Sequence, residues 1–116
     1  TNISAFIDWD DAVSGDPVDD LSLLGCFHSG ETVLSAVAGY QQVKPLPENF
    51  KQRFWLHLLR NIIFKSVIRV KGNYFEMSDK FFLNNAKNSS LEKFTLERID
   101  SACKGLKGNL SIDMLS

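Results

Sequence analysis

Apolar and polar positions alternate along the chain with a period that changes from place to place, and those changes mark the elements. Ile3-Ser4-Ala5-Phe6-Ile7 is a short, mostly apolar run ending at Asp8, the pattern of a buried strand. Gly15-Asp16-Pro17 then reads as a helix start. Asp16 suits the capping position, Pro17 the first helical position, and Asp19 and Asp20 complement the positive end of the helix dipole. This helix is expected to carry Leu21, Leu23, Leu24 and Phe27 and to stop near Gly30. Ser29 or Gly30 opens a second helix with Val33, Val37 and Tyr40 on one face, and Pro45 and Pro47 break the chain after it.

The longest predicted helix covers residues 48–70, about 35 Å at 1.5 Å per residue. Phe50, Phe54, Trp55, Leu58, Leu59, Ile62, Ile63 and Val67 form a wide apolar face, while Arg53, His57, Arg60, Asn61 and Lys65 take the other side. So wide an apolar face predicts a central helix with several neighbours, and His57 is expected at the surface or in a groove. Gly72-Asn73 opens a loop, Ser78 is placed to cap a short helix over 79–87, and Ser89 with Glu92 makes a capping box for a last helix ending near Gly105. Residues 106–116 show no firm pattern and read as a tail. The expected fold is mainly α, one N-terminal strand followed by about five helices, in a single unit without repeats or a linker.

Composition refines this picture in one place. Net charge over the 116 residues is −1, against a general nucleic-acid binder held by phosphate contacts. Residues 1–20 nevertheless hold six Asp and no Lys or Arg, so acid is concentrated where the first helix begins. Such a concentration suits a cation site, a set of helix N-terminal charges, or both. Cys26 and Cys103 are too few and too far apart for a disulfide scaffold or a Cys-x-x-Cys metal site, so reduced thiols and a cytoplasmic setting are expected. The apolar stretch 54–70 is interrupted by His57, Arg60, Asn61, Lys65 and Arg69 and does not read as a membrane span.

The segment that carries chemistry is Ile7-Asp8-Trp9-Asp10-Asp11-Ala12 followed by Gly15-Asp16-Pro17 and Asp20-Leu21. A strand ending in Asp8 delivers a carboxylate to the rim of a sheet. Asp10, two residues on, can join it on one divalent ion if the chain turns there, and Mg²⁺ takes one or two carboxylates plus water and phosphate oxygens. Without the second motif, the simpler reading is an acidic turn after a strand, with Asp16 and Asp19 as capping charges and Asp11 solvated.

The two motifs in this order resemble the aminoglycoside phosphotransferase family, kinase-like enzymes that phosphorylate small molecules, over about the first 24 residues. The resemblance implies that Asp8 binds Mg²⁺ bridging the ATP phosphates, as the D-F-G aspartate of protein kinases does. It gives Asp10 a supporting acid role and makes Asp20 a brace for the backbone of the catalytic loop. It also implies transfer of the ATP γ-phosphoryl group to a hydroxyl of a small-molecule acceptor that contacts the C-terminal helices. No phosphate-covering Gly-rich loop, ATP-anchoring Lys or H-x-D-x-x-x-x-N segment occurs in these residues. The resemblance therefore implies a C-terminal portion, inactive alone, whose nucleotide lobe and catalytic base lie upstream. The face that should meet those parts is then expected to be apolar and exposed, and the isolated chain to self-associate, with no nucleic-acid or membrane partner.

Two other readings compete. Phe6-Ile7-Asp8-Trp9-Asp10 also fits the strand-plus-D-x-D start of haloacid-dehalogenase-type phosphatases, but that fold needs further parallel strands and a late acidic motif that this helical remainder does not supply. A calcium loop fits less well still, with Ala12 and Val13 where a ligand and Gly belong. The other alternative is a non-catalytic helical interaction module.

Overall fold

The computed structural model describes residues 15–76 and 90–116. They form four α-helices, α1 (Pro17–Gly25), α2 (Gly30–Gln41), α3 (Phe50–Lys71) and α4 (Leu91–Leu106), with single 3-10 turns at Tyr74–Glu76 and Ile112–Met114. The protein is thus mainly helical. The expected strand Ile3–Ile7 and the short helix over 79–87 lie outside the described residues. Among those described, no helix is long and apolar enough to cross a membrane.

Local causes set the boundaries of α1 and the start of α4. Asp16 caps α1: its Oδ1 accepts from the Val18 N–H at 3.0 Å, and Pro17 follows with its φ already helical. Such a cap contributes about 1 kcal/mol. Val18, Leu21, Ser22, Gly25 and Cys26 are buried at helical spacing, so one stripe of α1 faces inward. The helix ends at Gly25, before the expected stop near Gly30, because the Cys26, Phe27 and His28 N–H groups close the last turn onto Leu23 and Leu24. At α4 the cap is Ser90, which accepts from the Lys93 N–H at 3.1 Å. The expected cap at Ser89 is taken by Ser90, whose third helical residue is Lys93 and not Glu92, so a cap and no box is formed, and Ser89 itself lies outside the described residues. Asn73, just after α3, sits at φ 56°, a left-handed conformation that Asn tolerates better than most residues.

The core forms around α3, 22 residues and about 33 Å long. Phe54, Leu58 and Ile62 are fully buried, each worth roughly 1.5–3 kcal/mol of transfer free energy. Phe54 meets Trp55 edge-on at 5.2 Å between ring centroids. Helices α1 and α4 both lie against α3, and α2 lies against α1 and the C-terminal 3-10 turn. The expected apolar face is rotated at its far end: Ile63 and Val67 are each 48% exposed, while Arg69 is buried. The expected tail is also structural. Ile112 and Leu115 join the core, and the Leu115 carbonyl accepts from the Gly30 N–H at 2.7 Å.

Two glycines permit these approaches. A Cβ on Gly30 would fall 1.8 Å from the Ile112 carbonyl oxygen, and one on Gly105 would fall 2.0 Å from the Trp55 ring. Because Trp55 is held edge-on by Phe54, Gly105→Ala is expected to cost about 1–3 kcal/mol through overpacking. The check is a lower urea midpoint at unchanged slope, with an altered near-ultraviolet tryptophan signal.

Candidate functional site

The only part of the acidic motif region within the described residues is the start of α1, and its carboxylates face α3. Arg53, His57 and Asn61 are four residues apart and so lie on one side of α3. They meet the first turn of α1. The Asp16 carboxylate, already taking the Val18 N–H on Oδ1, accepts from His57 Nε2 on Oδ2 at 3.1 Å, with Arg53 at 3.7 Å. Asp19 Oδ1 accepts from Asn61 Nδ2 at 2.8 Å and lies 3.6 Å from His57 Nδ1 and 3.9 Å from Arg60. The second Asn61 amide hydrogen reaches Ser22 Oγ at 3.1 Å, and the buried Ser22 hydroxyl donates to the Asp19 carbonyl at 2.7 Å.

The Val18 N–H, then His57 and Arg53, hold the Asp16 carboxyl below the usual carboxylate range despite an opposing burial effect. The His57 ring is therefore clasped between two carboxylates on α1. Of the two expected places, surface or groove, it takes the groove: its side chain is 22% exposed. Asp16 and Asp19 serve as helix-terminal charges, as expected, and additionally receive side chains from a second helix. The missed signal was complementarity between an acid-rich helix start and a basic and amide stripe at i, i+4 and i+8.

Asp8 and Asp10, the expected Mg²⁺ ligands, lie outside the described residues. Asp20 is on α1 and exposed to solvent. Among the described residues, no group of three or more His, Cys, Asp or Glu side chains is arranged to hold a metal ion. The α1–α3 cluster ties the start of α1 to α3 through Asp16–His57 and Asp19–Asn61. Gly15, directly before the cap, is exposed.

A second polar set lies where the end of α1 meets α3 and α4. Arg69 and Arg98 are 2% and 3% exposed. Arg69 donates to Thr95 Oγ1 at 2.7 Å, and that hydroxyl donates on to the Leu91 carbonyl. Arg98 donates to the His28 carbonyl at 3.0 Å and lies 4.8 Å from the centroid of the Phe94 ring. Burial lowers the pKa of both guanidinium groups. Burial also pushes the nearby Cys26 thiol up to about 11, against the opposing pull of Lys65, Arg69 and Arg98. Cys26 is thus a buried small hydrophobe. Nothing in the sequence pattern marked Arg69 or Arg98 as buried.

A half-open, mainly apolar cavity of about 650 Å³ lies between α2, the N-terminal part of α3 and the C-terminal segment. Leu34, Phe50, Trp55 and Leu106 line it, with Lys51 and Asp113 among its polar groups. Comparison of the chain with protein-family models, with curated proteins and with solved structures finds no match.

Two outcomes follow from these environments. Asn can keep the cap hydrogen bond of Asp16 but not its charge, so Asp16→Asn isolates the ion pairing. Because the folded-state pKa is depressed, the charge stabilises the fold above the ordinary carboxylate pKa of 3.8 and that contribution is lost as pH falls through the folded value. The urea midpoint of Asp16→Asn is expected to lie below wild type at about pH 6 and to converge with it towards about pH 3. For the thiols, Ellman's reagent at about pH 8 is expected to modify the half-buried Cys103 in the native protein and Cys26 only after unfolding. Equal rates for the two would contradict the burial of Cys26.

Proposed function

We propose that this chain is the C-terminal helical portion of an ATP-dependent phosphotransferase acting on a small molecule that bears a hydroxyl. The reading rests on the ordered pair I-D-W-D-D-A and G-D-P-x-x-D-L. One observation supports it: the second motif begins a helix whose first turn is tied to α3 through Asp16–His57 and Asp19–Asn61. A metal-bearing loop needs a rigid support immediately behind it, and this anchor sits in that position in the sequence.

In this reading Asp8 holds Mg²⁺ against the ATP phosphates, with Asp10 as a second acid and the solvent-exposed Asp20 as the brace for a catalytic loop supplied upstream. The upstream part would also carry the base that takes the acceptor's proton and the lobe that covers the nucleotide. Magnesium would supply charge neutralisation at the phosphoryl group. The cavity beside Trp55 has the volume range of small-molecule sites and is a concavity in which an acceptor could sit. A second reading, a helical interaction module without catalysis, is favoured by the apolar side chains exposed along α3.

The deciding experiment uses the protein encoded by the entire open reading frame around these residues. Phosphorylation of hydroxyl-bearing acceptors by Mg²⁺ and ATP is expected to fall by about a hundredfold or more in Asp8→Asn, with folding unchanged. Undiminished turnover in that variant would remove the assignment of Asp8. A reading frame without H-x-D-x-x-x-x-N before the Thr1 codon would remove the phosphotransferase reading and leave the interaction module.

A further inference from the structure

Helix α3 buries one side and leaves the other bare in a particular pattern. Phe54, Leu58, Ile62 and Arg69 face the core, whereas Leu56, Ile63, Phe64, Val67, Ile68 and Val70 are between 44% (Ile68) and 67% (Phe64) exposed. Isolated exposed apolar residues are ordinary; a run of six large ones along one helix marks an interaction surface. The spacing is also ordered. Arg53, Leu56, Arg60, Ile63, Val67 and Val70 recur at alternating intervals of three and four, the seam of a helix–helix contact. In that register Leu56, Ile63 and Val70 occupy one set of seam positions, and Arg53, Arg60 and Val67 the other. The seam lies on a helix already fixed by α1 and α4 from its other sides.

The charges along the seam decide its occupant. Helix α3 contains no Asp or Glu, and its exposed charged residues, Lys51, Arg53, Arg60 and Lys71, are all basic. A second copy aligned in parallel would stack Arg53 on Arg53 and Arg60 on Arg60. Aligned antiparallel, it would press each Arg60 against an apolar position with no acceptor. A helix bearing acids at those points meets neither cost. The Arg53 and Arg60 heads stand 3.7 and 3.9 Å from Asp16 and Asp19, beyond direct hydrogen-bond length, so their donors are not consumed by α1. An anionic lipid surface would match the charge too, but the alternating three-and-four spacing of the stripe is that of a helix–helix seam.

We propose that this face of α3 is the docking site for a partner helix, apolar on one side and carrying Glu or Asp opposite Arg53 and Arg60. The proposal rests on α3 alone and not on the phosphotransferase reading, since neither Asp8 nor ATP takes part.

The probe is a designed helical peptide of three heptads, with Leu at both seam positions except for Glu facing Arg53 and Arg60. A control peptide carries Lys in place of those Glu residues. Calorimetry with the 116-residue chain is expected to give one-to-one, roughly micromolar binding of the Glu peptide. That binding should weaken at least about tenfold for the Lys peptide and in high salt. Val67→Asp and Phe64→Asp, both at exposed positions, should abolish binding while the helical circular dichroism is kept. Equal binding of the two peptides, or binding unaffected by both substitutions, would overturn the proposal. So would a stable species of twice 13.1 kDa in sedimentation that Val67→Asp dissociates, since the occupant would then be a second copy. Stripe-dependent partition into phosphatidylglycerol vesicles without Glu-peptide binding would assign the face to lipid instead. Failure here leaves the Asp8→Asn experiment untouched.

Discussion

The described structure depends on α3 being gripped along two flanks by two kinds of interaction. On one flank the start of α1 offers Asp16 and Asp19, and α3 answers with His57 and Asn61. On the other, α4 brings Thr95 to Arg69 and leaves room for Trp55 at Gly105. Between these polar fixings run Phe54, Leu58 and Ile62, whose burial contributes transfer free energy but little orientation. Hydrophobic burial is non-directional, whereas a carboxylate that accepts from both a helix N–H and an imidazole admits few arrangements. The polar flank therefore sets how α1 lies on α3.

The same arrangement explains why polar groups are buried at the α1–α3–α4 junction. A guanidinium removed from water is costly unless its donors are used. Arg69 and Arg98 each place one donor on a neutral acceptor, a hydroxyl and a carbonyl, while Arg69 Nη2 and Arg98 Nε are buried without a partner among the described residues. The aromatic ring of Phe94 under Arg98 and the last turn of α1, whose carbonyls form the negative end of a helix dipole, offset part of that cost. Cys26 remains a thiol within this cationic surround because burial outweighs the nearby positive charge.

The proposed chemistry and the proposed interface draw on different parts of the molecule. The first depends on carboxylates preceding α1 and on the anchoring of α1 to α3. The second depends on the face of α3 turned away from that anchor. Arg53 and Arg60 stand at the border, close enough to Asp16 and Asp19 to add to the local field and exposed enough to meet a further partner. Because α1 does not hold their donors, a helix docked there would leave the Asp16–His57 and Asp19–Asn61 bonds in place.

Most of the helical framework was legible in the residues themselves. Asp16-Pro17 marks the start of α1 through a cap and a fixed φ, the Pro45–Pro47 break separates α2 from α3, and the apolar spacing of Phe54, Leu58 and Ile62 sets the buried side of α3. These are local matters, decided by backbone sterics and by residues within one or two turns. The two-motif resemblance was likewise legible, since it is a property of order and spacing. Tertiary structure alone decided the partners: that His57 lies between Asp16 and Asp19, that Arg69 and Arg98 are buried, that Ile112 and Leu115 complete the core, and that Ile63 and Val67 face outward. The physical reason is that a helical period fixes which residues share a side but not which neighbour each side meets. That choice depends on contacts between residues some forty to seventy positions apart, such as Asp16 with His57 and His28 with Arg98, and no local rule reaches that far.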